Sequence, residues 1–203
     1  WAIELINKIN QIARDNNILI KRAGGETTIS TSPGNAMFPD VILYADDAQS
    51  RILQGWEIKM PDVSIDDAIF IADAKRKAKA LNLNSCITWN FTSVVLYVKN
   101  AQGVFEKQKE WNETRHISTR EDVLTYRGDW EDLLLKVVLD INELFLNGAI
   151  NGSSLGDAIS NTVVSTIVER NKKITAKELR EKASHDSVME AYIDNWWNCV
   201  RQE

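Results

Sequence analysis

The stretch Pro39-Asp40-Val41-Ile42-Leu43-Tyr44-Ala45-Asp46-Asp47-Ala48-Gln49-Ser50-Arg51-Ile52-Leu53-Gln54-Gly55-Trp56-Glu57-Ile58-Lys59-Met60 decides the fold. Val41–Tyr44 is continuous and apolar, the pattern of a strand covered on both faces. Residues 46–50 have turn composition, and residues 52–60 read as the returning strand of a hairpin. Pro39, lacking an N–H, suits a strand entrance. Residues two apart in a strand share a face, so Glu57 and Lys59 point one way while Trp56, Ile58 and Met60 point the other. The second set can enter a core. The first set is charged in a strand whose neighbours should be buried, where an acid and a base are costly unless they pair or bind a ligand. A fold at residues 46–50 brings Asp40 towards Glu57.

Working outward, residues 2–16 predict a core-facing helix, with Ile3, Ile6, Ile9 and Ala13 at helical spacing and Leu5 and Ile12 widening the stripe. Gly24-Gly25 marks a loop, Thr27-Thr28-Ile29-Ser30 a short strand, and Ser32-Pro33-Gly34-Asn35 a turn. After Pro61, Ser64 and Asp67 have the spacing of a helix N-cap, and the helix should run to about residue 82. Residues 86–91 and 94–98 read as two further strands around a turn at Thr92-Ser93. The strand pattern fades beyond residue 110. Leu133, Val137, Ile141 and Leu144 share a helical face over residues 129–147, which Asn147-Gly148 ends. Asn151-Gly152-Ser153-Ser154 reads as a linker. Segments at 156–171, 175–184 and 187–201 have helical pattern, with Thr175 and Glu178 in capping-box spacing. The expectation is an α/β domain over residues 1–150, a central mixed sheet flanked by helices, followed by a small all-helical extension over residues 151–203.

The 203 residues are 44% hydrophobic and 26% charged, the balance of a globular chain. No apolar run approaches the roughly 20 residues that span a bilayer, so no membrane partner is expected. The N-terminal helix lacks the continuous apolar core of a signal peptide. A start at Trp1 in place of Met is expected of a segment of a longer chain. Cys86 and Cys199 have no metal-ligand spacing and read as reduced buried thiols, as in a cytoplasmic protein. The net charge of −5 lies wholly in residues 111–203, whereas residues 1–110 carry 13 bases and 13 acids. Phosphate contacts act within about a Debye length, roughly 8–10 Å, so overall charge decides nothing about nucleic-acid binding.

Two carboxylates and a lysine at one point suit phosphodiester hydrolysis. Mg²⁺ is a hard ion that takes carboxylate oxygens, usually one or two from protein, and it offsets the charge of the diester. A neighbouring ammonium can orient the attacking water. Pro39-Asp40, a seventeen-residue separation and Glu57-Ile58-Lys59 resemble the signature of the PD-(D/E)XK nuclease superfamily, within that superfamily's element order, over residues 1–100. The resemblance implies a restriction-endonuclease-like core, with Asp40 and Glu57 as metal ligands and Lys59 as the catalytic lysine. It implies a Mg²⁺-dependent DNA endonuclease, with Mn²⁺ expected to substitute, similar to nuclease domains of restriction-modification or phage-defence enzymes. The partners it implies are DNA and further domains of a larger parent chain, such as a methyltransferase or motor. A homodimer is one assembly in which two copies could cut both strands. Glu4 and Glu26 are each similar in placement to an accessory acid of the superfamily. The alternative is a nuclease-fold module that binds DNA or a protein without cutting.

The spacing alone is weak, because Pro61-Asp62 followed by Asp73-Ala74-Lys75 also matches it. That second match lies inside a helix, where Asp73 and Lys75 face different directions. The bland reading of Glu57 and Lys59 is a solvated strand with an edge salt bridge. Lys75-Arg76-Lys77 with Lys79 would either grip a phosphate backbone or form a solvated helix face. Trp89-Asn90 could contact substrate, although an aromatic there is more often core. His116 and His185 have no partner at ligand spacing and read as surface residues. Trp196-Trp197 is expected to pack the helical extension or dock on the parent chain.

Overall fold

A computed structural model describes residues 1–25, 38–154, 156, 177–179 and 181–200, without the side chains of residue 194 and residues 196–200. Its centre is a sheet in the order β1 (Arg22–Gly24), β2 (Val41–Tyr44), β3 (Arg51–Ile58), β4 (Ser85–Trp89), β5 (Val94–Lys99) and β6 (Phe105–Trp111). A short β7 (Ser153–Ser154) pairs with the start of β3. Only the β3–β4 pair on this path is parallel, so the sheet is mixed. The protein is thus of the α/β class, with helices on a central mixed sheet.

The β2–β3 hairpin forms where the sequence places it. Asp46 closes its turn by accepting from the N–H groups of Ser50 (2.9 Å) and Arg51 (3.0 Å) and from Ser50 Oγ (3.0 Å). Short acidic side chains favour turns because they can bond the nearby backbone in this way. The register shifts after Leu43↔Gln54 to Tyr44↔Ile52, leaving Leu53 as an extra residue. A bulge of this kind breaks strict alternation. It lets Ile52 pack on one face of the sheet although Trp56 and Ile58, of the same parity, pack on the other.

The two faces carry separate cores. On one, α1 (Ala2–Asn16) and α4 (Arg127–Leu146) cover the sheet, and Leu5, Ile9, Trp56, Trp89, Leu133 and Val137 belong to one buried cluster. On the other, Ala74 and Ala78 of α2 (Ala68–Ala80) pack with Ile42, Tyr44, Cys86 and Tyr97. The helix α2 is the crossover that a parallel β3–β4 pair requires.

Several elements differ from expectation. The buried stripe of α1 is Leu5, Ile9, Ile12 and Ala13, and Ile3 faces outward at 75% exposure. The N-cap of α2 is Asp67, whose side chain accepts from Phe70 N at 2.8 Å, so the helix starts later than Ser64 suggests. Gly24 ends strand β1, where a loop is expected, while the strand expected at residues 27–30 and the turn at residues 32–35 lie outside the described residues. The edge strand β6 has only its terminal residues buried, and Glu106, Lys107, Lys109 and Glu110 guard its edge. Such a strand carries no apolar alternation to read. Helix α3 (Arg120–Thr125) is also unexpected, being short and held by a Thr119–Asp122 capping box.

The chain divides into two compact units, Trp1–Ile159 and Ser160–Glu203. The sheet and both cores belong to the first. In the second, α5 (Ser187–Val200) is helical, as its periodicity predicts, whereas the segment 156–171 and the Thr175 cap lie outside the described residues apart from Gly156. Among the described residues no helix is long and apolar enough to cross a membrane.

Candidate functional site

Asp40, Glu57 and Lys59 meet at one end of the β2–β3 hairpin. Asp40 immediately precedes β2, and its Oδ2 accepts from the backbone N–H of Ile58 at 2.7 Å. Its approach depends on Pro39, which is buried and packs over Gly55; a Cβ on residue 55 would lie 2.4 Å from Pro39 Cγ. Glu57 is the penultimate residue of β3, pairs in register with Thr88 of β4, and is 2% exposed. Trp56 and Ile58 enter the α1–α4 core, and Met60 packs against it, so strand alternation leaves Glu57 on the α2 face. Lys59 extends the parallel pairing by donating its N–H to Trp89 O at 2.9 Å. Its side chain is 41% exposed, and its ammonium lies 3.5 Å from Glu57 Oε1 and 5.8 Å from the centre of the Phe70 ring.

Glu57 is not the solvated edge residue of the bland reading. Both of its oxygens accept from Lys77 Nζ, at 2.8 Å and 2.7 Å. Lys77 is itself buried and also lies 3.1 Å from Asp73 Oδ2. Burial, reinforced by the charge of Asp40, pushes the Glu57 carboxyl from its ordinary 4.5 up to about 7 against the pull of Lys77. Burial pulls Lys77 down, but its bonds to Glu57 and Asp73 outweigh that and raise it. Asp73 is raised by its partial burial and lowered more by Arg76 and Lys77, so it ends below its usual range.

Lys77 and Asp73 are the residues that sequence reasoning missed. The buried residues of α2 are Phe70, Ala74, Lys77 and Ala78. Lys77 therefore stands on the apolar stripe at i, i+4, i+7 and i+8 from Phe70, with Asp73 four residues before it. A lysine on such a stripe with an acid at i−4 is a readable sign of a buried pair.

The basic run does not act as a unit. Lys77 is committed inward. Lys75 donates to Phe105 O at 3.2 Å and lies over the Tyr97 ring at 4.4 Å. Arg76 pairs with Asp73, and Lys79 is exposed. A shared phosphate grip by all four is thereby corrected. The chance match also separates, since Asp62 pairs with Arg120 at 3.0 Å while Asp73 and Lys75 take different partners.

Of the two candidate accessory acids, Glu4 pairs with Arg127 of α4, and Glu26 lies outside the described residues. Trp89 is fully buried, and Asn90, 2% exposed, ties its loop by donating to Val63 O and accepting from the N–H groups of Thr92 and Ser93. Neither faces outward to a substrate. His116 and His185 are exposed, and His116 Nε2 lies 2.7 Å from Asp129 Oδ2. Cys86 is a free thiol, pushed up to about 12 by burial. The side chains of Trp196, Trp197 and Cys199 lie outside the described residues.

Fold and site together define an α/β domain with a buried acid–base cluster beneath its crossover helix. Comparison with protein-family models, with curated proteins and with solved structures finds no match to this chain. A functional reading therefore rests on the chain's own chemistry.

Among the described residues, no group of three or more His, Cys, Asp and Glu is placed to hold an ion. Asp40 and Glu57 give two carboxylates and no soft ligand, which suits Mg²⁺, an ion commonly held by one or two carboxylates with water completing its shell. The ion would have to share Glu57 with Lys77.

Proposed function

We propose that the protein is a Mg²⁺-dependent endonuclease that hydrolyses DNA phosphodiester bonds, with Mn²⁺ as a substitute. The observation that carries this reading is the meeting of Asp40, Glu57 and Lys59 at one hairpin end, with Asp40 close enough to raise the proton affinity of Glu57. Asp40 and Glu57 would hold the ion, which supplies positive charge to offset the diester anion when bound. The Ile58 N–H fixes the Asp40 carboxylate. Lys59, half in solvent and anchored by its backbone to β4, would orient the attacking water and balance charge in the transition state. In-line attack would leave a 5′-phosphate. The cellular setting in this reading is a cytoplasmic restriction or phage-defence enzyme, with further domains of a parent chain as partners.

Plasmid cleavage with Mg²⁺ or Mn²⁺ tests the proposal. Wild type should nick or cut, Asp40→Ala should be inactive, and Lys59→Ala should lose about 10²-fold or more of the rate. No cleavage with either ion, or equal cutting by the variants, would refute it. A second reading is favoured by one specific observation, that Lys77 takes both Glu57 oxygens. There the cluster is structural and the domain binds DNA or a protein without cutting, so wild type would leave the plasmid intact, and a gel-shift assay would tell a DNA binder from a protein binder.

A further inference from the structure

The ammonium of Lys77 lies between two acids. Two distances run to Glu57, 2.8 Å and 2.7 Å, and one to Asp73, 3.1 Å. A lysine has three N–H donors, and two hydrogen bonds go to the Glu57 oxygens. Its side chain is 4% exposed and Glu57 is 2% exposed, so neither can exchange its partner for bulk water without moving. Asp73, at 32% exposure, stands towards solvent and is steadied by Arg76. Lys59 is different, being 41% exposed and at ion-pair distance only.

A divalent cation and this ammonium need the same oxygens. Mg²⁺ binds oxygen at about 2.1 Å with strict octahedral geometry, and an ammonium bonded to both carboxylate oxygens obstructs that approach. We infer that Lys77 is the built-in counter-ion of the carboxylate pair: it holds Glu57 when no divalent cation is present and yields it by moving onto Asp73 when one binds. Lys77 is in these terms a positioning residue that acts through Glu57. It keeps a buried acid compensated in the metal-free protein, where a lone carboxylate would be costly. Asp73 is the acceptor that makes release possible, because it already touches the ammonium that must move. This inference rests on the proposed metal-dependent reading of Asp40 and Glu57.

The test is metal binding without substrate, by calorimetric titration of Mg²⁺ and by Mn²⁺ paramagnetic resonance, at mildly alkaline pH on the full chain. Lys77→Met should bind either ion more tightly than wild type, by roughly 10-fold, the lower end of effects seen for groups that contact metal ligands. Asp73→Asn should bind more weakly, since Lys77 loses the site to which it retreats. A solely structural role would move both variants towards weaker binding. If Lys77→Met does not fold, Lys77→Gln takes its place, since its neutral amide can still donate to Glu57, and it should likewise bind either ion more tightly than wild type. Tighter or unchanged binding by Asp73→Asn, or unchanged or weaker binding by folded Lys77→Met, would overturn the inference while leaving the metal reading standing. Absence of binding in wild type and both variants would overturn the two together, whereas binding that emerges only in Lys77→Met would support the inference.

Discussion

Glu57 is the residue on which the proposed chemistry turns, because it is an acid placed where few acids belong. Its carboxyl is raised from 4.5 to about 7 by burial first and by Asp40 second. Folding thus favours the protonated form. The stability Glu57 contributes is fully present below its unfolded value and is lost as the pH rises through about 7. Denaturant melts from mildly acid to mildly alkaline pH should show wild type losing on the order of 3 kcal/mol relative to Glu57→Gln, whose amide does not titrate. Parallel profiles for the two proteins would contradict the shift. Metal binding should run the other way, rising with pH over the same interval, because the ion needs the ionised carboxylate. The acid and the lysine two residues on were legible from strand parity. Lys77 was not, since the sign of it lay in a helix whose position over β3 no local pattern states.

At the scale of elements, the site depends on how β2 and β3 enter their pairing. Gly55 leaves room for Pro39 to lie against β3, and Pro39 leads directly into Asp40. Gly55→Ala should cost about 1–3 kcal/mol by overpacking and should displace Asp40 from the Ile58 N–H. Urea unfolding reads the first effect, and loss of cleavage with the remaining fold intact reads the second. Helix α2 depends on its cap, so Asp67→Ala should lower stability by about 1 kcal/mol, as urea unfolding would measure. Strong local patterns placed β2, β3, α1 and α4 close to where they lie. The polar edge strand β6 and the six-residue α3 escaped notice because neither carries apolar periodicity long enough to register.

Across the whole molecule, both hydrophobic cores draw their described members from within Trp1–Ile159. Among the described residues, none beyond Ile150 enters either core. A chain ending after Ile159 should unfold cooperatively and bind Mn²⁺ with the affinity of the full chain, as calorimetry would show. A non-cooperative melt of the shortened chain would count against an independent first unit. The two faces of the sheet have different work: the α1–α4 face is packed with aromatic and aliphatic side chains, whereas the α2 face combines apolar contacts with the acid–base cluster.

The sequence by itself determined the hairpin, the alternation that sends Trp56 and Ile58 inward, and the shared face of Glu57 and Lys59. These follow from the period of a strand and the chemistry of a turn, which act over neighbouring residues. Only the tertiary structure decided that Glu57 is buried, that Lys77 from the crossover helix takes both of its oxygens, and that Asp73 waits beside it. The Glu57–Lys77 contacts join residues 20 positions apart. They exist because the parallel β3–β4 pair requires a crossover, and packing lays that crossover over the acid.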